Sequence, residues 1–383
     1  MYLDTAATTP VRREVLEAMW PYLAGGLEGA FGNPSSRHET GERAAAALAA
    51  ARESIAASLG CRPGEVILTS GGTEGDNLAL IGIALAAPRD RRHLVISPIE
   101  HEAVRESADH LRRLHGFEIT ELPVDRDGRV DPRDLAAALR SDTAVASVLH
   151  ASNEIGTVQP IAELAAVARE RGVPFHSDAV QSAGWLDVRL DALGVDALTI
   201  AGHKLGAPKG VGALVVRGGI LLEPLLHGGG QERGRRSGTE NVAGAVGLAV
   251  ALRMSADERG TAGRVAAVRD AVVAGVLAAE PSAVVTGSRA HRLPNHASFC
   301  FPGTSGEAVL LELERSGITC SSGSACAAGD DEPSPALLAI GIAPEVAQTA
   351  VRMTFGADAR PEDVPRIVEG VRSAFRSLGR LRA

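Results

Sequence analysis

Lysine is almost missing from this chain. Of 39 basic residues among 383, only Lys204 and Lys209 are lysines, both in "AGHKLGAPKG" (201–210). A guanidinium stays protonated and cannot act as an amine nucleophile, whereas a desolvated lysine can lose its proton and form a Schiff base with a carbonyl. Lys204 is therefore a candidate for amine chemistry; the alternative is that both lysines are chance survivors of a codon bias that also supplies the many Ala, Gly and Arg residues. Net positive charge is lacking too. At a formal charge of −8 the chain does not read as a nucleic-acid binder held by a basic surface. Apolar runs such as "LALIGIALAA" (78–87) stop short of the roughly 20 residues that cross a bilayer, so membrane insertion is not expected. "MYLDTAATTP" has neither the basic start nor the apolar stretch of a secretory signal, which points to a cytoplasmic protein. The four cysteines, Cys61, Cys300, Cys320 and Cys326, form no CxxC and are too few for a disulfide framework in a chain this long. There is no Walker A pattern, and "GGGQERG" does not match GxGxxG.

What is present is an alternation of short apolar runs with helical periods. "EVILTS" (65–70), "HLVISP" (93–98), "AVASVLHA" (144–151), "VPFHSD" (173–178), "ALTIAG" (197–202) and "GALVVR" (212–217) read as strands. Leu78, Ile81 and Leu85 mark one helix between them, and Ile161, Leu164, Ala165 and Ala168 another, with Pro160 suited to the N1 position. This is the pattern of an α/β fold, an open and mainly parallel sheet with helices on both faces, in which ligands bind beyond the carboxyl ends of the strands. From about residue 259 the texture changes. A helix carrying Val265, Val268, Val272 and Val276 is followed by "HASFCFPG", a helix ending near Gly317, the cysteine segment and a last helix from Pro361 with Val364, Ile367, Val368, Val371, Phe375 and Leu378 on one face. A smaller α+β domain is expected there.

Three clusters follow predicted strand ends. "SGGTEG" (70–75) opens a helix, whose free N–H groups and positive dipole end make a plausible phosphate cradle, with Thr73 able to add a hydroxyl; an ordinary Gly-rich turn is the competing reading. In "HSDAVQSAG" (176–184), Asp178 at a buried strand end needs a positive partner such as a protonated ring nitrogen, unless it caps a following helix. His203 and Lys204 follow the next strand. Lysine for a Schiff base, a carboxylate for a pyridinium nitrogen and a helix start for a phosphate together suit pyridoxal phosphate.

With these residues in view the chain resembles the NifS/IscS-like cysteine desulfurases, members of the class V aminotransferases of pyridoxal phosphate fold-type I. The likeness runs nearly end to end, through "YLDTAATTP", "FGNPSSRH" (31–38), "TSGGTEGDNLAL", "EHEAV" (100–104), "SNEIGTVQP" (152–160), "HSDAVQSAG", "AGHKLGAPKG", "HGGGQERGRRSGTENV" (227–242), "SSGSACAAG" (321–329) and "VRMTFG" (351–356). The resemblance implies a large cofactor-binding domain over 15–258 with a mainly parallel seven-stranded sheet, and a small domain of 1–14 and 259–383 carrying the catalytic cysteine loop. It implies that Lys204 bonds the cofactor and moves substrate protons, that Asp178 holds the pyridinium proton, and that Gln181 and Asn153 contact the ring's phenolic side. His101 is implied to stack on the ring and assist proton transfer. Gly72, Thr73 and His203 are implied to bind the phosphate, joined by Thr239 from a second subunit of a homodimer. Arg352 is implied to clamp the substrate carboxylate with Asn153 nearby, and Cys326 to take the sulfur. Ala201 departs from the family, which commonly has a phosphate-binding serine there, so one phosphate hydrogen bond is absent or replaced by water or backbone. Gly72 stands where Ala is common, a change expected to be benign.

On their own residues, His38, His101, His150 and His227 read as surface or helix-start histidines, Cys61 as a surface turn residue, and Cys300 as a small buried hydrophobe. Cys320 and Cys326 are too few ligands for a structural zinc site. The Gly, Ser and Ala residues around Cys326 suit a mobile, exposed loop. The expected reaction converts L-cysteine to L-alanine and leaves sulfur as a persulfide on Cys326, for a sulfur-acceptor protein, either an iron–sulfur scaffold or a sulfur carrier. No metal is required, although relatives of Cys326 can lend a thiolate to a nascent iron–sulfur cluster. Selenocysteine lyase and another class V aminotransferase are the alternatives.

Overall fold

A computed structural model describes residues 1–24, 30–323 and 333–382. Its main sheet has seven strands: β1 (Val66–Thr69), β2 (His93–Ile96), β3 (Glu118–Glu121), β4 (Thr143–Ser147), β5 (Phe175–Asp178), β6 (Ala197–Ala201) and β7 (Gly212–Val216). Their order across the sheet is β1-β7-β6-β5-β4-β2-β3. β7 runs antiparallel to β1 and β6, and the other pairings are parallel.

The strands read as continuous apolar runs because both faces are covered. Val66, Leu68, Leu198, Ile200, Ala213 and Val215 point into a core shared with the helices Glu39–Ser58, Ile161–Glu170 and Val242–Glu258. The alternate residues Ile67, Ala197, Leu214 and Val216 point into a second core under the helices Gly72–Ala86 and Glu102–His115. Six strands coincide with predicted runs. β3 does not, because it is an edge strand whose ends, Glu118 and Glu121, are exposed; it offers no apolar run, and Arg140 pairs with Glu118 at 2.5 Å. Pro160 stands one residue earlier than predicted, as the N-cap of Ile161–Glu170, while the face of Ile161, Leu164, Ala165 and Ala168 is buried as read.

A three-stranded antiparallel sheet follows, ordered β10-β9-β8, from β8 (Val284–Val285), β9 (His296–Cys300) and β10 (Ala350–Thr354). Helices Ala262–Ala279, Gly306–Arg315 and Val364–Arg382 close over it, with Val265, Val268, Val272, Val276, Ile367 and Val371 buried among Phe299, Val351 and Met353. Pro361–Asp363 form a 3₁₀ turn before the last helix.

The first nine residues lie between the two sheets. Leu3 is buried in the second core, its N–H donating to Thr319 (2.7 Å) and its carbonyl accepting from Thr354 (2.8 Å). Ala6 N–H donates to Thr354 Oγ1 at 2.9 Å, and Thr9 N–H reaches His203 O at 2.9 Å, beyond the end of β6. Among the described residues no helix is long and apolar enough to cross a membrane.

Candidate active site

Adjacent parallel strands deliver the first two groups. β5 ends at Asp178 beside Thr199 of β6, and β6 runs directly into the short turn Gly202–Lys204. Asp178 is 8% exposed. One carboxylate oxygen accepts from Val180 N–H at 2.7 Å, closing a turn rather than capping a helix. Burial pushes its pKa up, while the Val180 N–H and the Lys204 amine pull it back toward the charged form. Lys204 Nζ donates to the carbonyls of Ala6 and Ala7, the latter at 2.9 Å, and Gln181 Nε2 donates to the same Ala6 carbonyl at 3.0 Å. The opening segment of the chain thus anchors both the lysine and the glutamine.

Opposite them, the helix Gly72–Ala86 begins with no side-chain cap, leaving the N–H groups of its first turn to an outside acceptor. Val180 packs close at this point: a Cβ on Gly72 would lie 2.8 Å from Val180 Cγ2 and 3.6 Å from Ala201 Cβ. An alanine at 72 therefore needs Val180 to move, a tighter fit than the sequence suggests. Ala201 is buried under the helix start and brings no hydroxyl there. His203 Nδ1 is 3.2 Å from Thr8 Oγ1, and burial, with help from Lys204 and Lys209, holds its pKa at about 4, so the imidazole is neutral.

His101 caps the helix Glu102–His115, its Nδ1 accepting from Ala103 N–H at 3.1 Å. The helix-start reading is thus observed, and it has a chemical consequence: a ring whose Nδ1 accepts carries its proton on Nε2. Three buried acids repel one another in this region. Gly75 lets the helix Gly72–Ala86 close on β6, since a Cβ there would meet Thr199 Cγ2 at 2.6 Å, and the next residue, Asp76, reaches within 3.6 Å of His176 Nε2. Burial, then Asp178, pushes Asp76 well up, and burial pushes Glu100 up to about 8. His176 is no counter-charge, because burial holds it at about 3 between the hydroxyls of Ser147 and Thr199. Of the three, Asp178 is the acid beside the Lys204 amine, which favours its charged form against the effect of burial.

Arg352, in the middle of β10, is 1% exposed. Its Nη2 donates to Asp4 Oδ1 at 2.8 Å and its Nη1 to the carbonyl of Asn153 at 3.0 Å, which also faces His296 Nε2 at 3.0 Å. Thr239 is exposed on the loop before the helix Val242–Glu258. Cys326 and most of its predicted loop lie outside the described residues. Cys320 is half-buried, and burial raises its thiol to about 12, which keeps it protonated.

Two expectations need correction here. His150 is not a surface residue: it is 5% exposed, burial lowers it to about 4, and its backbone N–H donates to Asp178 O at 2.8 Å because the chain leaving β4 stays in step with β5, Val148 N–H donating to His176 O at 3.2 Å. Cys61 is partly buried against the main core, with its thiol raised to about 12. Asp4, Asp76, Glu100 and His176 were not anticipated; an acid inside an apolar helix pattern, as at Asp76, was the available signal for one of them.

A family model described as aminotransferase class-V matches residues 1–367. A cysteine desulfurase IscS of Dictyoglomus turgidum is 45% identical over 381 residues, spanning 97% of this chain and 95% of its own. Among solved structures, a NifS-like protein superposes with a TM-score of 0.91 at 33% identity, covering 99% of this chain and 100% of its own. A structure titled "SspA in complex with cysteine" gives 0.80 at 35% identity, over 92% of this chain and 98% of that one.

Proposed function

The chain belongs to the aminotransferase class-V family, and from that membership we propose that it is a pyridoxal-phosphate-dependent cysteine desulfurase, acting on L-cysteine as a homodimer and passing sulfur to an acceptor protein. The observation that carries this reading is Asp178: a buried carboxylate at a strand end, beside a lysine amine and near an uncapped helix start. A buried charge of this kind calls for a cationic N–H partner, which a pyridinium ring provides, while the helix start suits a phosphate. The residues fit the cofactor. Asp178 would hold its ring nitrogen, Gly72, Thr73 and His203 its phosphate, Gln181 and Asn153 its phenolic edge, and the second subunit's copy of Thr239 would complete the phosphate site. Ala201 adds nothing to that phosphate.

When bound, the cofactor supplies the carbonyl that captures the substrate amine and the electron-withdrawing ring that makes the substrate Cα–H acidic. Lys204 Nζ leaves the carbonyls of Ala6 and Ala7 to take and return protons at the substrate Cα. His101 offers Nε2–H, the tautomer fixed by Ala103. Arg352 receives the substrate carboxylate. Cys326 Sγ, as thiolate, attacks the substrate sulfur; the S–S bond forms as the Cβ–S bond breaks with its electron pair remaining on carbon, so that L-cysteine and a thiol become L-alanine and a persulfide. Residues 15–258 form the cofactor-binding part and residues 1–14 with 259–383 the part carrying Cys326.

The test is to incubate the purified, loaded protein with L-cysteine and a dithiol and to measure alanine and sulfide together. Equal yields are expected. Pyruvate in place of alanine, or no product, overturns the proposal.

A further inference from the structure

The clamp that the substrate is to occupy already holds a carboxylate. Arg352 Nη2 donates to Asp4, and Nη1 donates to the carbonyls of Asn153 (3.0 Å) and Gly323 (3.5 Å). Nε is buried with no hydrogen-bond acceptor among the described residues. Nε and Nη2 together make the side edge of a guanidinium, one of the edges that grips a carboxylate through two parallel bonds. Asp4 uses half of that edge. Its backbone is fixed: it pairs with Thr354, and Tyr2 donates its hydroxyl to the Asp4 carbonyl at 3.0 Å. Its side chain is 15% exposed against 2% for that of Arg352, so the aspartate borders the way out and the arginine does not.

A second carboxylate arriving at this edge would set two anions against one cation with almost no water to screen them, an arrangement that buried sites do not sustain. We infer that Asp4 is the resident counter-ion of Arg352 and is exchanged for the substrate α-carboxylate, so that it acts as a positioning residue controlling how tightly and how selectively the site accepts an α-amino acid. This rests on the reading of Arg352 as the carboxylate clamp. No covalent bond changes; one ion pair replaces another. While the site is empty, Asp4 neutralises the buried guanidinium and keeps it aimed. An amine without a carboxylate cannot displace Asp4, so it gains nothing from the clamp, and any amino acid that does bind must first break the resident pair.

The experiment uses the loaded enzyme with two probes, L-alanine and L-alaninamide, which lacks the anion, measured by titration calorimetry alongside steady-state kinetics with L-cysteine. In Asp4→Asn the Kd for L-alanine and the KM for L-cysteine should both fall about tenfold, the scale of a close charge pair at a binding site, with the Kd for L-alaninamide unchanged. A structural role alone would weaken all three. Asp4→Glu keeps the charge and should not gain affinity; a gain matching that of Asp4→Asn overturns the exchange. Arg352→Gln should abolish the preference for L-alanine over L-alaninamide, and failure of that arm refutes the clamp and the exchange together. If Arg352→Gln behaves as expected while Asp4→Asn leaves L-alanine binding unchanged or weaker, the clamp stands and the exchange falls. Should Asp4→Asn not give folded protein by circular dichroism, Asp4→Ser, which still offers an oxygen to Nη2, is held to the same outcomes.

Discussion

Glu232 and Arg52 form a buried ion pair whose removal has a calculable effect. Arg52 donates to both oxygens of Glu232, at 2.7 and 2.6 Å, and to Val66 O; Glu232 also accepts from Leu68 N–H at 3.1 Å. The glutamate is 4% exposed and the arginine 8%. The pair ties the helix Glu39–Ser58 and β1 to the loop that leads to Thr239, and that loop is under strain, with φ at +49° for Glu232 and +61° for Arg233. Glu232→Gln keeps the shape and removes the charge, leaving the guanidinium buried without its anion. Breaking such a pair costs about 3–5 kcal/mol. With an unfolding entropy of roughly 2.1 cal/mol/K per residue the whole chain carries about 0.8 kcal/mol/K, so Tm should fall by about 4–6 °C in a calorimetric scan. Replacing both partners, Arg52→Met with Glu232→Met, removes both charges and should restore most of the loss, to within about 2 kcal/mol of the parent. A drop below about 1 °C in the single variant, on the same entropy scale, would refute the claim that this pair is desolvated. So would a double variant as unstable as the sum of the two singles.

Lys204→Ala should lose the yellow colour and the borohydride-reducible bond to the cofactor, whereas Lys209→Ala keeps both; the reverse pattern would move the chemistry to Lys209. Cys326→Ser should keep bound cofactor yet release almost no sulfide, while Cys320→Ser, which removes a thiol raised to about 12, retains most activity; sulfide release at the parental rate from Cys326→Ser refutes the persulfide step. Glu100 is raised to about 8, so its native form binds a proton that the unfolded chain has already released above about 4.3. Its contribution to stability is then full below that value and is lost as pH rises toward 8, at up to about 1.4 kcal/mol per pH unit; Glu100→Gln should flatten the decline of the urea midpoint between pH 5 and 8, and an unchanged slope would show the carboxyl to be ionised in the fold.

The central strands were legible because they are buried on both faces, which leaves runs such as "ALTIAG" with little else to be. β3 was not, since an edge strand needs only one good neighbour and can be half charged. Asp178 and Lys204 could be proposed as site residues from their place after strands, a local feature. Asp4 could not: it lies 348 residues from Arg352, and nothing in "YLDTAATTP" shows which side chain faces inward. His150 is buried because the run "AVASVLHA" keeps pairing with β5 beyond Ser147, Val148 N–H reaching His176 O and His150 N–H reaching Asp178 O, which a lone histidine at the end of a run does not reveal. The helix of Asp76 showed its apolar period plainly. What the period could not show is that Gly75 brings the acid beside a histidine.

The placement of the first nine residues also bears on the order of assembly. They are made long before the residues they bond to, since Thr319, Thr354 and Phe355 follow more than three hundred residues later. Closing so long a loop is slow compared with the local pairing of neighbouring strands and helices. Lys204 and Gln181 take their anchors from Ala6 and Ala7, so the main sheet can form during synthesis while its lysine still lacks those partners. The opening segment works as a latch, set once β10 has been translated, and a chain stalled before that strand would carry the lysine without the carbonyls that hold it.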